Sequence, residues 1–187
     1  MYTLRTNMRK KQGGFSLLEL AVVVAIIGIL VYSFSGTSNS DRTKATVLLQ
    51  MMDTVGSGST RLKLDGGCYP TRPDALWLSA SANPSSCGTD MTGQWRGPYM
   101  SPAQANATGG ITVPNISQNT VITLTSAAGG IGTRYFVRAS AIPNSVISEM
   151  MVVCNGAATT LAGRCNGTLG VAPATVGTVD VQYDETR

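Results

Sequence analysis

The chain begins with a short polar and basic stretch and continues into a long apolar run. From Phe15 to Phe34 the only charged side chain is Glu19. As an α-helix these residues span about 30 Å, the thickness of the hydrocarbon core of a bilayer. The pattern predicts a membrane-spanning helix, and the basic residues before it, with none directly after it, place its N-terminus in the cytoplasm.

A second helical pattern, this time amphipathic, follows the apolar run. Apolar residues recur at steps of three and four, as in a helix that packs one stripe against a sheet; a Met-rich partner groove is the alternative. The stripe consists of Ala45, Leu48, Met52 and Val55. Glycine and serine favour a helix end near Gly56–Ser59, and extension by a further turn gives a helix over about 40–62.

The rest of the chain is predicted to form loops and then strands. Residues 63–118 are rich in Gly, Pro, Ser and Asn, a composition typical of irregular surface segments. Within 119–187, alternating and β-branched segments predict strands at Thr120–Ser126, Thr133–Ser140 and Gly177–Asp184. A long helix followed by an antiparallel sheet predicts the α+β class.

The segment IPNSVISEMMVVC, which begins at Ile142, has two interpretations. Pro143 suits the first turn of a helix with Val146, Ile147 and Met150 on one face. The run MMVVC alone is also consistent with a strand, and the pattern leaves both structures open.

The net charge of +4 is concentrated at the start of the chain. Four basic residues and no acidic ones precede Gly13, namely Arg5, Arg9, Lys10 and Lys11. Ten basic and ten acidic side chains remain beyond them, so the rest of the chain is formally neutral. The excess therefore indicates membrane topology, and no specific nucleic-acid site is identifiable.

The chain contains four cysteines and no histidine. An even count after a membrane-targeting segment indicates disulfides in an oxidising compartment, whereas a zinc site lacks support from any CxxC or histidine. Four cysteines allow three connectivities. We expect Cys68 to pair with Cys87 and Cys154 with Cys165, because closing the shorter loops costs the least entropy.

The sequence contains no catalytic constellation. Without histidine there is no Ser-His-Asp or Cys-His arrangement, and no GxxxxGK[ST] loop is present to bind phosphate. We therefore expect no enzymatic activity, no cofactor and no metal site. Asn-x-Ser/Thr triplets, which indicate exposed loops, begin at Asn106, Asn115 and Asn166.

A plain membrane anchor does not explain Glu19. A lone carboxylate in an apolar helix costs about 2.5–3.5 kcal/mol on insertion scales, so it needs a partner or a function. Cleavage between Gly14 and Phe15 would create an α-amino group, mostly cationic at neutral pH, one helical turn from Glu19. In an assembly of parallel, staggered helices, Glu19 of one subunit can meet the amine of its neighbour, and that pairing would favour a single register.

The segment GGFSLLELAVVVAIIGIL, which begins at Gly13, resembles the N-terminus of type IV prepilins and of the related pseudopilins of type II secretion. Their shared pattern is a short basic leader ending in Gly, then Phe or Met, then an apolar helix with Glu at its fifth mature position. Gly14, Phe15 and Glu19 occupy these positions. The resemblance implies that a prepilin peptidase removes Met1 to Gly14 and methylates the amine of Phe15.

The resemblance also implies a division of the chain. Residues 1–14 would be the leader, residues 15–35 the transmembrane and assembly helix, and residues 36–187 the head of a pilin fold with disulfide-stapled loops. Many type IV pilins carry a proline late in the apolar helix, where the helix unwinds in the filament. Here Gly28 and Gly36 are the helix-melting candidates, because glycine lowers helix propensity by about 1 kcal/mol relative to alanine.

A second resemblance concerns aromatic stretches in the head. YPTRPDALW and WRGPYM are similar to the YPT … GL … W-GPYL stretch of major pseudopilins. We favour the simpler interpretation that Trp77, Trp95 and Tyr99 pack this loop on the sheet, since aromatic residues mostly serve burial.

Acidic side chains cluster at the C-terminus, and major pseudopilins bind calcium near theirs. The cluster consists of Asp180, Asp184 and Glu185. Its spacing matches no EF-hand loop, so a solvated tail is the favoured interpretation.

The sequence therefore indicates a structural subunit of a type IV pilus filament, closer to the type IVb branch. We expect storage in the bacterial inner membrane and polymerisation through N-terminal helices for adhesion, aggregation, motility or DNA uptake. Prepilin peptidase, an inner-membrane assembly platform and minor pilins are the implied partners, and the product is an extracellular pilus or a periplasmic fibre. The alternatives are a pseudopilin that drives type II protein export, and a signal-anchored periplasmic domain, which leaves Glu19 unexplained.

Overall fold

The computed structural model describes residues 20–27, 38–129, 132–159 and 161–186. It divides into two compact units, Met1–Thr37 and Ser38–Arg187. In the first unit residues 20–27 are helical, and their large apolar side chains are about half exposed. Among the residues that the structure describes, no helix is long and apolar enough to cross a membrane.

The second unit, which we call the head, begins with helix α1, Ser38–Gly66. The predicted stripe is confirmed, since Ala45, Leu48, Met52 and Val55 are all completely buried. Asp41 in the first turn and Lys63 in the last turn complement the helix dipole. The end near Gly56–Ser59 is wrong and the extension to about residue 62 is closer, because α1 continues to Gly66.

The sheet has five antiparallel strands in the order β1-β2-β3-β5-β4. The strands are β1 Ile111–Thr112, β2 Val121–Ala128, β3 Thr133–Pro143, β4 Cys165–Thr168 and β5 Val176–Thr186. The three predicted strands correspond to β2, β3 and β5 and are confirmed. The sequence did not predict β1 and β4, which are only two and four residues long.

The ambiguous segment after β3 is a helix, α2, Asn144–Asn155. Val146, Ile147 and Met150 are completely buried, as the helical interpretation required. The helix ends at Gly156, which adopts a left-handed conformation with φ of +85° and donates its N–H to the carbonyl of Val152.

The core lies between the two helices and one face of the sheet. Val137 of β3 pairs with Val181 of β5, and Ala139 of β3 pairs with Val179 of β5, so alternate residues of both strands face the helices. The opposite face is polar, and one row across four strands contains Thr123, Arg138, Asp180 and Asn166. The head is thus an α+β unit, as predicted from the order of the elements.

A β-bulge changes the direction of side chains near the end of β5. Tyr135 pairs with Asp184 and Phe136 pairs with Gln182, so Tyr183 has no partner in the register. As a result the side chains of Tyr183 and Asp184 both contact α1 instead of alternating between the two faces.

Glycine at position 56 allows α1 to approach β5 closely. A Cβ atom added at Gly56 would lie 2.8 Å from Cβ of Tyr183, which is too close for an undisturbed contact. Tertiary packing therefore requires glycine here despite its low helix propensity.

We predict that Gly56→Ala lowers the free energy of unfolding by up to about 2 kcal/mol. The strain of overpacking, about 1–3 kcal/mol, outweighs the gain of about 1 kcal/mol in helix propensity. Urea denaturation followed by circular dichroism measures the change. Ser57→Ala, at the exposed neighbouring position, is the matched control and should leave stability unchanged or slightly higher. An equal stability gain in both variants would contradict the close approach of α1 to β5.

Candidate functional site

The residues that carry the N-terminal motif lie largely outside the described part of the chain. Gly14, Phe15, Glu19, Gly28 and Gly36 are among them. Directly after the position of Glu19, residues 20–27 form a helix whose apolar side chains are exposed on every side. Such exposed apolar surface is typical of a segment that lies in lipid or packs against other chains.

The structure contains two disulfides, and each joins cysteines that follow one another in the order of cysteines along the chain. Cys68 bonds to Cys87 and Cys154 bonds to Cys165. The first closes a loop after α1, and the second joins the last turn of α2 to the start of β4. The Asn155 side chain supports the second loop, because its amide donates to the Cys165 carbonyl at 2.8 Å and accepts from the Cys165 N–H at 3.2 Å.

An ion pair ties the C-terminal disulfide loop to α1. The guanidinium of Arg164 lies 2.7 Å from the carboxylate of Asp53, and both side chains are at least half exposed. Solvent screening limits such a pair to less than about 1 kcal/mol, so it orients the loop more than it stabilises the head.

The C-terminal acids do not form the solvated tail that the sequence suggested. Asp180 and Glu185 lie in β5 and pair with arginines directly opposite in β3, Arg138 at 2.7 Å and Arg134 at 3.5 Å. Asp184 lies 3.4 Å from Lys63 of α1. Each carboxylate therefore has its own cation, and within the described residues no group of three or more His, Cys, Asp or Glu side chains could hold a metal ion.

Asp184 belongs to a cluster of tyrosines between α1 and β5. The hydroxyl of Tyr69 donates a hydrogen bond to the Asp184 carboxylate and accepts one from Lys63 at 2.9 Å. The ring of Tyr69 contacts the rings of Tyr135 and Tyr183, with centroids 3.9 and 5.6 Å away. Burial raises the pKa of the Tyr183 phenol well above its ordinary value, so this ring stays neutral throughout the physiological range.

The aromatic loop packs mainly on α1 and an adjacent 3₁₀ turn, Pro73–Leu76, and not on the sheet as expected. The indole of Trp95 donates to the carbonyl of Ala75 at 2.8 Å, and its ring meets that of Tyr99 edge to face. The Tyr99 hydroxyl donates to Asp65 in the last turn of α1 at 2.7 Å. Trp77, Trp95 and Tyr99 are all partly buried against the hydrophobic core, so their role in burial is confirmed.

Two of the three Asn-x-Ser/Thr triplets, those that begin at Asn106 and Asn115, lie in loops. Asn115 is exposed between β1 and β2. Asn106 is half-buried, and its side-chain oxygen accepts hydrogen bonds from Thr108 and Gly110. Asn166 lies within β4. Ala107 and Thr108 are exposed, so the expectation of exposed loops is wrong only for the triplet that begins at Asn166.

No motif in the sequence indicates a role for Lys63, Tyr69 or Tyr135. Lys63 and Tyr69 are six residues apart, but Asp184 and Tyr135 join them only through the fold. The one local signal was a tyrosine directly after Cys68, where a disulfide can hold an aromatic ring in place.

Comparisons with known proteins agree with the N-terminal pattern. Residues 9–31 match the family described as the prokaryotic N-terminal methylation motif. The chain is also similar to the type II secretion system core protein G of Xanthomonas campestris pv. campestris, at 27% identity over 111 residues, which cover 58% of this chain and 71% of that protein. No solved structure is significantly similar to the chain. The methylation motif and the similarity to a type II secretion protein together support a type IV pilin-like protein related to the pseudopilins.

Proposed function

We propose that this chain is the structural subunit of a type IV pilus filament. The observation that carries the proposal is the match of residues 9–31 to the N-terminal methylation motif. That segment contains the Gly14–Phe15 junction at which a prepilin peptidase would cut, and Phe15 would then carry the methylated amine. Before assembly the chain would be stored in the inner membrane with its N-terminus in the cytoplasm.

Assembly would use the apolar N-terminal helices of many copies. Side chains of residues 20–27 are about half exposed and apolar, so they offer surface to neighbouring helices as well as to lipid. Glu19 of one subunit would pair with the Phe15 amine of the next. Inside a filament the pair lies away from water, where an unpaired charge is strongly unfavourable, and it therefore selects one axial register.

The head supports a structural role through its cross-linked loops and its low net charge, because Ser38–Arg187 carries ten basic and nine acidic side chains. Two disulfides close its loops, and its acidic residues are paired with cations along β5. A formal charge of only +1 keeps the repulsion between closely packed copies of the head low. Adhesion, aggregation, motility or DNA uptake would be properties of the filament, with the assembly platform and minor pilins as its partners.

A pseudopilin of a type II secretion system is the second candidate. The similarity to core protein G favours it, as does the WRGPYM stretch around Trp95. The C-terminal acids favour the pilus, because Asp180, Asp184 and Glu185 are paired with Arg138, Lys63 and Arg134 and are not arranged to bind the calcium that major pseudopilins take up.

We predict that Glu19→Gln reduces the yield of filaments at least tenfold while leaving membrane insertion intact. Removing one member of a buried pair costs about 3–5 kcal/mol, whereas a neutral glutamine crosses the bilayer at lower cost than a carboxylate. Filaments sheared from cells are quantified against the amount of subunit in the membrane fraction. Glu149→Gln, the same change in α2 of the head, is the matched control and should assemble normally. Normal filament yield from Glu19→Gln would refute the role of the carboxylate.

Deletion of the gene separates the two candidates. For a pilus subunit we predict loss of surface filaments with secretion of exoproteins unchanged. Loss of exoprotein secretion with surface filaments retained would assign the chain to a secretion system instead. Both phenotypes are scored on the same strain by electron microscopy and by the enzyme activity of the culture supernatant.

A further inference from the structure

The head contains a cleft of about 200 Å³ between the edge of β2 and the loop closed by Cys68–Cys87. Pockets for drug-sized ligands measure about 300–1,000 Å³, so this cleft suits one ring-sized unit. Its walls consist of Pro70, Thr71, Ser85, Ser86, Leu124, Thr125, Ser126, Tyr135 and Tyr183. Seven of these nine side chains carry a hydroxyl group, and none is charged.

The loop wall of the cleft is held rigidly. Pro70 bridges to Ser85 in a β-like pair, and the Ser86 N–H donates to the Tyr69 carbonyl at 2.7 Å. The Thr71 hydroxyl donates to the carbonyl of Pro84 at 2.7 Å. With the disulfide across the same loop, the wall keeps its shape without a ligand, which lowers the entropic cost of binding.

The sheet wall offers hydrogen-bonding groups without partners in the protein. Within the described part of the chain the hydroxyls of Ser126 and Tyr135, which face each other across β2 and β3, form no hydrogen bond. Strand β1 pairs only with Val121 and Ile122, so no described strand covers the β2 edge beyond them. The Val113 N–H donates to the Thr120 carbonyl, so the backbone groups of Thr120 point to the edge of β2 where β1 pairs. Every second residue of a strand points to the same edge, so the backbone groups at positions 124 and 126 also point there, beyond the end of β1.

The charges nearest the cleft are neutralised. Asp184, opposite Tyr135 in the register, is bonded to Lys63 and Tyr69, and Glu185 is paired with Arg134. An ionic ligand would therefore find no counter-ion. A ligand with many hydroxyls and an apolar face fits better, because Tyr135 offers both a ring and a free hydroxyl.

From this chemistry we propose that the cleft binds a neutral sugar unit, in a glycan or as a free glycoside. Sugar hydroxyls would bond to the side chain of Ser126 and to the free backbone groups of β2, and the carbon face of the ring would contact Tyr135. The site belongs to the head alone and does not depend on polymerisation. A negative binding result would therefore leave the proposed filament function unaffected.

The test uses the purified full-length chain in dodecylphosphocholine micelles, which contain no sugar. Saturation-transfer NMR with the methyl glycosides of glucose, galactose, mannose and N-acetylglucosamine should show binding of at least one, with a Kd of about 1–10 mM. Tyr135→Phe keeps the ring against Tyr69 but removes the free hydroxyl, and should weaken binding about threefold to tenfold.

A pair of matched variants distinguishes the cleft from the rest of the surface. Ser126→Ile removes a hydroxyl and fills the cleft, and should abolish binding. Ala127→Ile places the same side chain on the opposite face of the same strand and should leave binding unchanged. Thermal midpoints equal to wild type show that both variants fold.

Three results would overturn the proposal. The first is no binding of any of the four glycosides, and the second is binding that Ser126→Ile leaves intact. The third is that the glycosides do not bind but an acetylated tetra-alanine amide does, and that Ser126→Ile abolishes its binding. That result would show that the uncovered β2 edge binds an extended peptide.

Discussion

The head depends on the close contact between α1 and the sheet. Glycine at position 56 brings the helix so near β5 that a Cβ atom there would meet Tyr183 at 2.8 Å. At this distance Lys63 can reach Asp184 at 3.4 Å, and Arg164 of the C-terminal disulfide loop can reach the helix at 2.7 Å. The helix thus organises the sheet, the tyrosine cluster and the loop closed by Cys154–Cys165 through one continuous line of contacts.

The charges that determine membrane topology lie apart from the charges on the surface of the head. The basic excess lies before Gly13, in the segment that a prepilin peptidase would remove, and the rest of the chain is formally neutral. Within the sheet, Arg138 of β3 and Asp180 of β5 form a bidentate ion pair. A nearly neutral head with internally paired charges can pack beside many copies of itself, and the N-terminal helices would then select one register.

Much of the fold could be predicted from local patterns, and the errors have physical causes. The stripe of α1, the three long strands and the pairing of neighbouring cysteines are all visible within short windows. The full length of α1 was not visible in a short window, because tertiary packing overrides the low helix propensity of Gly56. The position of Asp184 depends on a β-bulge, which shifts the alternation by one residue and which no local signal announced. The proposed cleft joins side chains as distant as Thr71 and Tyr183, so only the folded chain reveals it, whereas the processing motif is contiguous and was recognisable at once.

The proposed function requires cleavage of the chain at the Gly14–Phe15 junction and its export into a filament. The most direct measurement is the intact mass and N-terminal sequence of the protein sheared from the cell surface. We predict a chain that starts at a methylated Phe15. A chain that still starts at Met1 and is found only in the membrane fraction would contradict the claim and favour a plain signal-anchored protein.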